Sequence, residues 1–235
     1  MATAGRGVEI LFEDDAVIGV VKPCGLATAN ARRGEPSVFT IVRQRDRRPA
    51  VFLGVVSRLD QPVSGVVVFA RTPASAAALA RQFRERTVGK TYLAVVEGRF
   101  PGITGEWQEW IDRLVPGEQG SGGASPVGPG SAAEGSTEAR VRARVLRRAG
   151  EVSLVELAPT TGRKHQLRIQ LASRRCPIVG DRRYGARLPF PDGIALHSLR
   201  LVFRHPVSTE TITLAAPPPE PWLRRFPALA PFPAN

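Results

Sequence analysis

The stretch at positions 57–61 places an arginine and an aspartate two residues apart, in the order Ser57-Arg58-Leu59-Asp60-Gln61. Ser64-Gly65 and a continuously apolar run, Val66–Ala70, follow closely. Such a short apolar run is typical of a strand buried on both faces. A carboxylate beside a buried wall and a guanidinium has the surroundings that tune a catalytic acid or base. Spacing alone nevertheless favours a solvated surface turn, because short motifs are weak evidence.

Three later stretches also carry polar residues that could do chemistry, and they span residues 89–98, 161–171 and 180–185 with 196–201. The first contains Tyr92 on a strand otherwise made of small and apolar residues. Tyr92 could be a core aromatic whose hydroxyl finds a partner, or a platform on which a nucleic-acid base stacks. Taken alone, the position favours the core interpretation.

The second and third stretches form a strongly basic segment. Between positions 163 and 187 one acidic residue, Asp181, stands against eight basic ones: Arg163, Lys164, Arg168, Arg174, Arg175, Arg182, Arg183 and Arg187. A helix that begins near Thr161 would add free backbone N–H groups and a positive dipole end. The segment therefore predicts a phosphate-binding surface, and the alternative is a solvated helix face.

Other chemistries lack their residues. His165, His197 and His205 do not have metal-ligand spacing, and the cysteines Cys24 and Cys176 cannot build a zinc site or a disulfide framework. No phosphate-binding glycine loop, dinucleotide fingerprint or Ser-His-Asp arrangement is present. We therefore expect neither a cofactor nor a metal.

Composition agrees with a polyanionic partner. The 235 residues carry a formal charge of +12, from 33 basic and 21 acidic side chains, and 43% of them are hydrophobic. The basic side chains are almost all arginine, which suits phosphate and base contacts, although a genome rich in arginine codons would give the same excess. The start of the chain is acidic without an apolar core, and no apolar run reaches membrane-spanning length. We expect a cytoplasmic protein without membrane contact.

The elements that must position these residues are mostly strands. The pattern predicts strands near residues 8–12, 16–21, 66–70, 91–97, 195–203 and 209–214, and a hairpin, 141–146 with 152–157, around Ala149-Gly150. Helices are predicted over 37–45, from the N-cap Thr72 onward, and from Thr161 to about Ser173. Few helices and no regular strand–helix alternation favour an α+β fold with a mostly antiparallel mixed sheet. We expect one domain over 1–235, with its core at about 8–219 and a flexible Gly/Ser/Pro-rich insertion at 117–136.

In this order the motifs resemble those of the RluA-type family of RNA pseudouridine synthases, whose fold has an active-site cleft across the sheet. The family's His-Arg-Leu-Asp…Ser-Gly corresponds to Ser57–Asp60 with Ser64-Gly65, and its Lys-x-Tyr-x-Ala strand to Lys90–Ala94. Its Gly-Arg-x-His-Gln-Ile-Arg corresponds to Gly162–Arg168, and its Gly-Asp-x-x-Tyr-Gly to Gly180–Gly185. The match covers almost the whole chain, and we expect no separate N-terminal RNA-binding domain of the kind that many relatives carry.

The resemblance implies isomerisation of uridine to pseudouridine in structured RNA, either rRNA or tRNA, without cofactor or metal. It implies that Asp60 is the catalytic carboxylate, that Arg168 is its counter-ion and that Tyr92 stacks on the uracil. Arg58 would fill the space of the flipped nucleotide, and the RNA would also contact Arg163, Lys164 and His165. Ser57 and the run Gln61–Val63 depart from the family pattern, which puts substrate placement in question more than chemistry.

Two alternatives belong to other classes. One is a catalytically silent RNA-binding or ribosome-assembly protein on the same fold, and the other is a glycoside-cleaving enzyme, which would need a second carboxylate that the motifs lack. We expect a monomer without an obligate protein partner. The target uridine, and whether Asp60 attacks the sugar or removes a sugar proton, stay open.

Overall fold

The computed structural model describes residues 7–32, 34–45, 52–114, 126–127, 135–191 and 193–233. The chain divides into two compact units. Unit 1 comprises Met1–Lys90, His197–Pro219 and Pro233–Asn235, and unit 2 comprises Thr91–Leu196 and Glu220–Phe232. The expected single domain over 1–235 and the expected cleft across the sheet stay predictions.

Strands outnumber helices in the described residues, which confirms the predicted α+β class. The strands are β1 (Glu9–Glu13), β2 (Val17–Lys22), β3 (Gly54–Val55), β4 (Ser64–Ala70), β5 (Gly89–Glu97), β6 (Gln108–Leu114), β7 (Pro126–Val127), β8 (Thr137–Ala149), β9 (Val152–Pro159), β10 (Leu196–Arg204) and β11 (Thr211–Ala215). The helices are α1 (Val38–Arg45), α2 (Pro73–Arg84), α3 (Gln166–Ser173) and α4 (Glu220–Arg225), with 3-10 turns at Arg182–Tyr184 and Pro227–Leu229. None of the described helices is long and apolar enough to cross a membrane.

Unit 1 is built around β4, which is buried along its whole length, as its apolar run predicts. It pairs antiparallel with β2 and with β3, and parallel with β10; β1 extends β2, and β11 extends β10. One face of β4 packs in a cluster that contains Leu79 of α2, and the other packs in a cluster that contains Val38 and Val42 of α1. The two helices thus cover opposite faces of the strand that follows the Asp60 loop.

The start of α2 confirms the predicted cap. Thr72 is the N-cap and accepts the N–H of Ser75 on its Oγ1 at 3.0 Å, and Pro73 is the first helical residue. The helical spacing of the apolar residues Ala76, Leu79, Ala80 and Phe83 predicts one core-facing stripe. Ala80 is instead exposed, and Ser75 and Leu79 are buried. A serine can be buried at position 75 because its Oγ accepts a hydrogen bond from the Thr72 hydroxyl at 2.8 Å.

Unit 2 carries an antiparallel sheet in the order β5-β9-β8-β6-β7. The predicted hairpin is confirmed, since β8 and β9 meet at Gly150, whose φ is +56°. Strand β6 was not predicted because charged residues interrupt its alternation, although Trp110 and Leu114 are buried and Ile111 and Arg113 are exposed. Ile169 of α3 packs on Leu114 and Ala139 of this sheet.

Aromatic side chains anchor the segment after Pro217. Trp222 is fully buried, Phe226 is nearly so, and both contact the ring of Phe190 in unit 2. The predicted insertion at 117–136 lies outside the described residues, apart from β7, which pairs with β6, and residues 135–136.

Candidate active site

Asp60 lies in the loop between β3 and β4 and is half-buried. Its backbone carbonyl accepts the N–H of Val63 at 3.0 Å, which closes a turn over the residues between them. Leu59 anchors the loop by packing in the apolar cluster with Val38 and Phe69. The catalytic candidate thus sits on a loop that is fixed to the core one residue before it.

A second segment, residues 22–28, faces this loop and holds its backbone. The Lys22 Nζ and the Gly25 N–H both donate to the carbonyl of Gln61, each at 3.0 Å. The Gln61 side chain returns a bond from Nε2 to the Gly25 carbonyl at 3.0 Å, and the Cys24 Sγ donates to the Pro62 carbonyl at 2.9 Å. Gln61 and Pro62, which depart from the family pattern, thus contribute backbone and side-chain bonds to the facing segment.

Lys22 places a buried cation beside Asp60. Its side chain is inaccessible to solvent, and its Nζ also donates to the carbonyls of Pro23 and Leu26. Burial lowers the pKa of Lys22 to about 8, and the nearby Cys24 and Asp60 oppose this by favouring the charged form. An ammonium that three carbonyls satisfy therefore lies within the electrostatic reach of the Asp60 carboxylate.

Arg58 is exposed, which its predicted contact with RNA requires. Its neighbour Ser57, which stands where the family pattern has histidine, is half-buried, and its Oγ has no hydrogen-bond partner among the described residues. The structure therefore shows no contact that explains the serine.

The Ser64-Gly65 pair is explained by the approach of β10. Gly65 has a φ of +119°, and a Cβ on it would lie 2.3 Å from the carbonyl oxygen of Ser198, so only glycine fits. The Ser64 Oγ donates to the His197 Nδ1 at 2.9 Å, because the His197 Nε2 donates to the Ala216 carbonyl at 2.9 Å. Burial lowers the pKa of His197 to about 4, so its ring is neutral and structural.

Tyr92 belongs to unit 2, where it lies near the start of β5 opposite Leu157 of β9. It is half-buried, whereas the residues on both sides of it, Thr91 and Leu93, are buried. The ring is therefore partly accessible, which the base-stacking role requires.

Arg168 is the most enclosed of the predicted site residues. Its Nε and Nη2 donate to the two carboxylate oxygens of Asp181 at 2.7 and 2.8 Å, and the side chains of both residues are buried. The Tyr184 ring lies 4.9 Å from its guanidinium carbon, and the Tyr184 hydroxyl lies 2.9 Å from the Nδ1 of His165. Within unit 2 the structure thus brings Arg168 and His165 together through Tyr184, while the pairing of Arg168 with Asp60 stays a prediction.

The helix that carries Arg168 begins later than predicted. It starts at Gln166 rather than near Thr161, and its N-cap, His165, has a left-handed backbone with φ +56°. The Thr161 hydroxyl instead binds the N–H of Arg140 and the Gln166 Oε1, and the same Oε1 accepts the N–H of Arg163. The Gln166 side chain thus bends residues 161–165 into a turn, which the helical interpretation missed.

Six of the eight basic residues between positions 163 and 187 are exposed, and they are Arg163, Lys164, Arg175, Arg182, Arg183 and Arg187. The charges of the other two are paired: the buried Arg168 pairs with Asp181, and the partly exposed Arg174 pairs with Asp112 and covers the Trp110 ring. Much of the predicted basic surface is therefore available to a polyanion within unit 2.

Lys22 in unit 1, and Asp181 and Tyr184 in unit 2, had no assigned role in the sequence. Asp181 and Tyr184 belong to a quoted motif, so their spacing was a usable signal. Among the described residues no group of three or more His, Cys, Asp and Glu side chains could hold a metal ion.

Comparison with known proteins gives consistent matches. The family model described as RNA pseudouridylate synthase matches residues 16–173. The chain is 34% identical to the ribosomal large subunit pseudouridine synthase D of Xanthomonas campestris pv. campestris, over 94% of this chain and 69% of that protein. It is also 34% identical to the tRNA pseudouridine synthase C of Yersinia pestis, over 92% of this chain and 88% of that protein. The solved structure of human RNA pseudouridylate synthase domain containing 1 superposes with a TM-score of 0.77 at 25% identity, covering 97% of this chain and 90% of that one.

Proposed function

The chain belongs to the RNA pseudouridylate synthase family, and on this premise we propose that Asp60 is the carboxylate with which it isomerises a uridine of rRNA or tRNA. It is an RNA pseudouridine synthase. In this reaction the bond from uracil N1 to C1′ breaks, the base turns, and C5 bonds to C1′. The C5 hydrogen is lost and N1 gains one, so the product has the composition of the substrate and no cofactor is consumed.

The assignment of Asp60 is supported by the hydrogen bonds that hold the backbone of its loop. The carbonyl of the next residue, Gln61, accepts two hydrogen bonds, and one of them comes from the buried Lys22 ammonium. Preorganised groups cost no rearrangement at the moment of reaction. A carboxylate on such a loop keeps its position when a nucleotide enters.

The other site residues are proposed in the roles that the family motifs imply. Tyr92 stacks on the uracil, and its half-buried position in β5 supports this. Arg168 stabilises the ionised form of Asp60, and Asp181 holds its guanidinium in one orientation. Arg58 replaces the flipped nucleotide in the RNA stack, and the exposed Arg163 and Lys164, with His165, contact the backbone of the RNA.

Asp60→Asn and Asp60→Ala test the assignment. We expect both variants to release no tritium from [5-3H]uridine-labelled rRNA or tRNA, while the Kd for the same RNA changes less than about threefold, since the charge that drives binding lies elsewhere. Glu35→Gln removes an exposed acid of the same unit and should keep full activity. Full activity of Asp60→Ala would exclude Asp60 as the catalytic group.

The RNA target is open to a separate experiment. The two relatives named above are a ribosomal and a tRNA enzyme, so we propose that the substrate is one of these two RNA classes. Chemical mapping of pseudouridine in total RNA from cells with and without the gene should show one or a few sites that depend on the gene. If the wild-type protein releases no tritium from tRNA or from either large rRNA, the silent RNA-binding alternative is favoured. The cytoplasmic location, the monomeric state and the lack of an obligate protein partner stay predictions.

A further inference from the structure

Thr28 makes two hydrogen bonds to a single residue of the Asp60 loop. Its Oγ1 accepts the N–H of Leu59 at 3.1 Å and donates to the carbonyl of Leu59 at 2.9 Å. A hydroxyl can do both at once because it is a donor and an acceptor, which no apolar side chain of the same shape can be. One oxygen therefore fixes both peptide groups of Leu59.

Thr28 is itself firmly placed. It is 3% exposed, and its backbone carbonyl accepts the N–H of Phe39 at 3.0 Å, at the start of α1. The carbonyl before it, of Ala27, accepts the N–H of Val38 at 2.9 Å. The hydroxyl is therefore a fixed point that the first turn of α1 supports from behind.

Leu59 lies between the two residues of this loop with proposed roles, Arg58 and Asp60. A change in the backbone angles of Leu59 redirects both side chains, because each leaves the chain one peptide away. The bonds from Lys22, Gly25 and Cys24 hold the carbonyls of Gln61 and Pro62, which follow Asp60. Thr28 supplies the corresponding support before Asp60.

We propose that Thr28 is a positioning residue, whose hydroxyl sets the direction in which Asp60 and Arg58 project from their loop. This inference rests on the proposed catalytic role of Asp60. A misplacement of about 1 Å at a reacting group can cost on the order of a hundredfold in rate. Losing the hydroxyl should therefore lower the rate of the chemical step more than it weakens RNA binding.

The test compares Thr28→Val, which keeps the shape and removes the hydroxyl, with Thr28→Ser, which keeps the hydroxyl. With [5-3H]uridine-labelled rRNA or tRNA, whichever the wild type modifies, we expect Thr28→Val to lower kcat by about 10- to 100-fold. The apparent KM should change less than about threefold, because the exposed basic residues between positions 163 and 187 are untouched. Thr28→Ser should stay within about threefold of the wild type in both parameters, since it restores both bonds.

The control for a general loss of stability is Thr72→Val, at the N-cap of α2 in the same unit. The Thr72 hydroxyl also accepts one hydrogen bond and donates another: it accepts the N–H of Ser75 at 3.0 Å and donates to the Ser75 Oγ at 2.8 Å. Both bonds lie outside the Asp60 loop. We expect Thr72→Val to lower the Tm and to leave kcat unchanged at temperatures well below the Tm. If Thr28→Val does not fold, Thr28→Cys, a weaker donor, should show an intermediate kcat.

Wild-type kcat in Thr28→Val, or an equal loss of kcat in Thr28→Ser or Thr72→Val, would overturn the positioning role. The two proposals fail separately. If Asp60→Ala is inactive while Thr28→Val is fully active, only the role of Thr28 is lost; if Asp60→Ala is active, the catalytic assignment itself is wrong.

Discussion

Among single residues, Arg168 shows how a charge is kept inside this fold. Its guanidinium forms a two-bonded ion pair with Asp181 and lies against the ring of Tyr184, and both partners of the ion pair are buried. A buried pair of this kind contributes little compared with an apolar pair, but removing one partner leaves an uncompensated charge. Asp181 is therefore needed for stability and also orients Arg168.

Asp181→Ala should lower the free energy of unfolding by about 3–5 kcal/mol, because it leaves the Arg168 guanidinium buried without its carboxylate. Denaturant unfolding followed by circular dichroism measures this change. Glu220→Ala, which removes the partner of the exposed Arg224, should cost less than about 1 kcal/mol. Equal stability of Asp181→Ala and the wild type would show that the ion pair does not hold this region together.

At the scale of elements, the contact of β4 with β10 shapes the end of the Asp60 loop. The two strands pair in parallel at Ser64 and Gly65, where the missing Cβ lets the backbone of Ser198 approach. His197 adds a bridge from Ser64 to the Ala216 carbonyl through its neutral ring. Protonating that ring would remove the acceptor that Ser64 uses, so this contact is sensitive to acid.

The stability of the protein should fall with acid because of His197. Burial lowers its folded pKa to about 4, while the unfolded value is about 6.5, so the unfolded state binds the proton more readily. The neutral His197 ring therefore contributes up to about 3 kcal/mol to the free energy of unfolding. This stabilisation is complete above about pH 6.5 and is lost as the pH falls towards about 4. Denaturant unfolding of the wild type and of His197→Asn at pH 7, 6, 5 and 4.5 measures how the free energy of unfolding depends on pH. The expected result is a smaller pH dependence in the variant, and identical pH dependence would contradict it.

For the whole molecule, charge is the dominant property. The chain carries a formal +12, and six basic residues between positions 163 and 187 are exposed in unit 2. Each phosphate that these side chains neutralise releases counter-ions, so binding to RNA depends steeply on salt. The net charge therefore acts on affinity and on association rate rather than on the choice of uridine.

RNA affinity should fall by about a thousandfold between 50 and 200 mM salt if on the order of six phosphates are neutralised. The double variant Arg182→Gln/Arg183→Gln should make the slope of log K against log salt shallower by about 1–2. Arg224→Gln, an exposed arginine outside the basic segment that pairs with Glu220, is the control and should leave the slope unchanged. Filter binding or fluorescence anisotropy at four salt concentrations measures the slopes. A wild-type affinity that does not depend on salt would count against the basic surface.

Local sequence patterns were sufficient to predict the strands with uninterrupted apolar runs, the capped helix α2 and the order of motifs that assigns the chain to its family. These features are local: a continuous apolar run, a Thr-Pro start or a Gly-Arg-x-His-Gln spacing can be read without knowing what lies opposite. The start of α3 and the burial of Ser75 could not be predicted, because they depend on hydrogen bonds of the Gln166 and Thr72 side chains.

The residues that support the Asp60 loop and the start of β4 could not be predicted from local patterns. Thr28 is 31 positions from Leu59, Lys22 is 39 from Gln61, and Ser64 is 133 from His197, so no spacing in the sequence shows these bonds. The tertiary structure also separated the basic residues that face solvent from Arg168 and Arg174, whose charges are paired inside unit 2. The physical reason is that a hydrogen bond or an ion pair requires two groups to meet in space, and the fold, rather than the sequence around either group, brings them together.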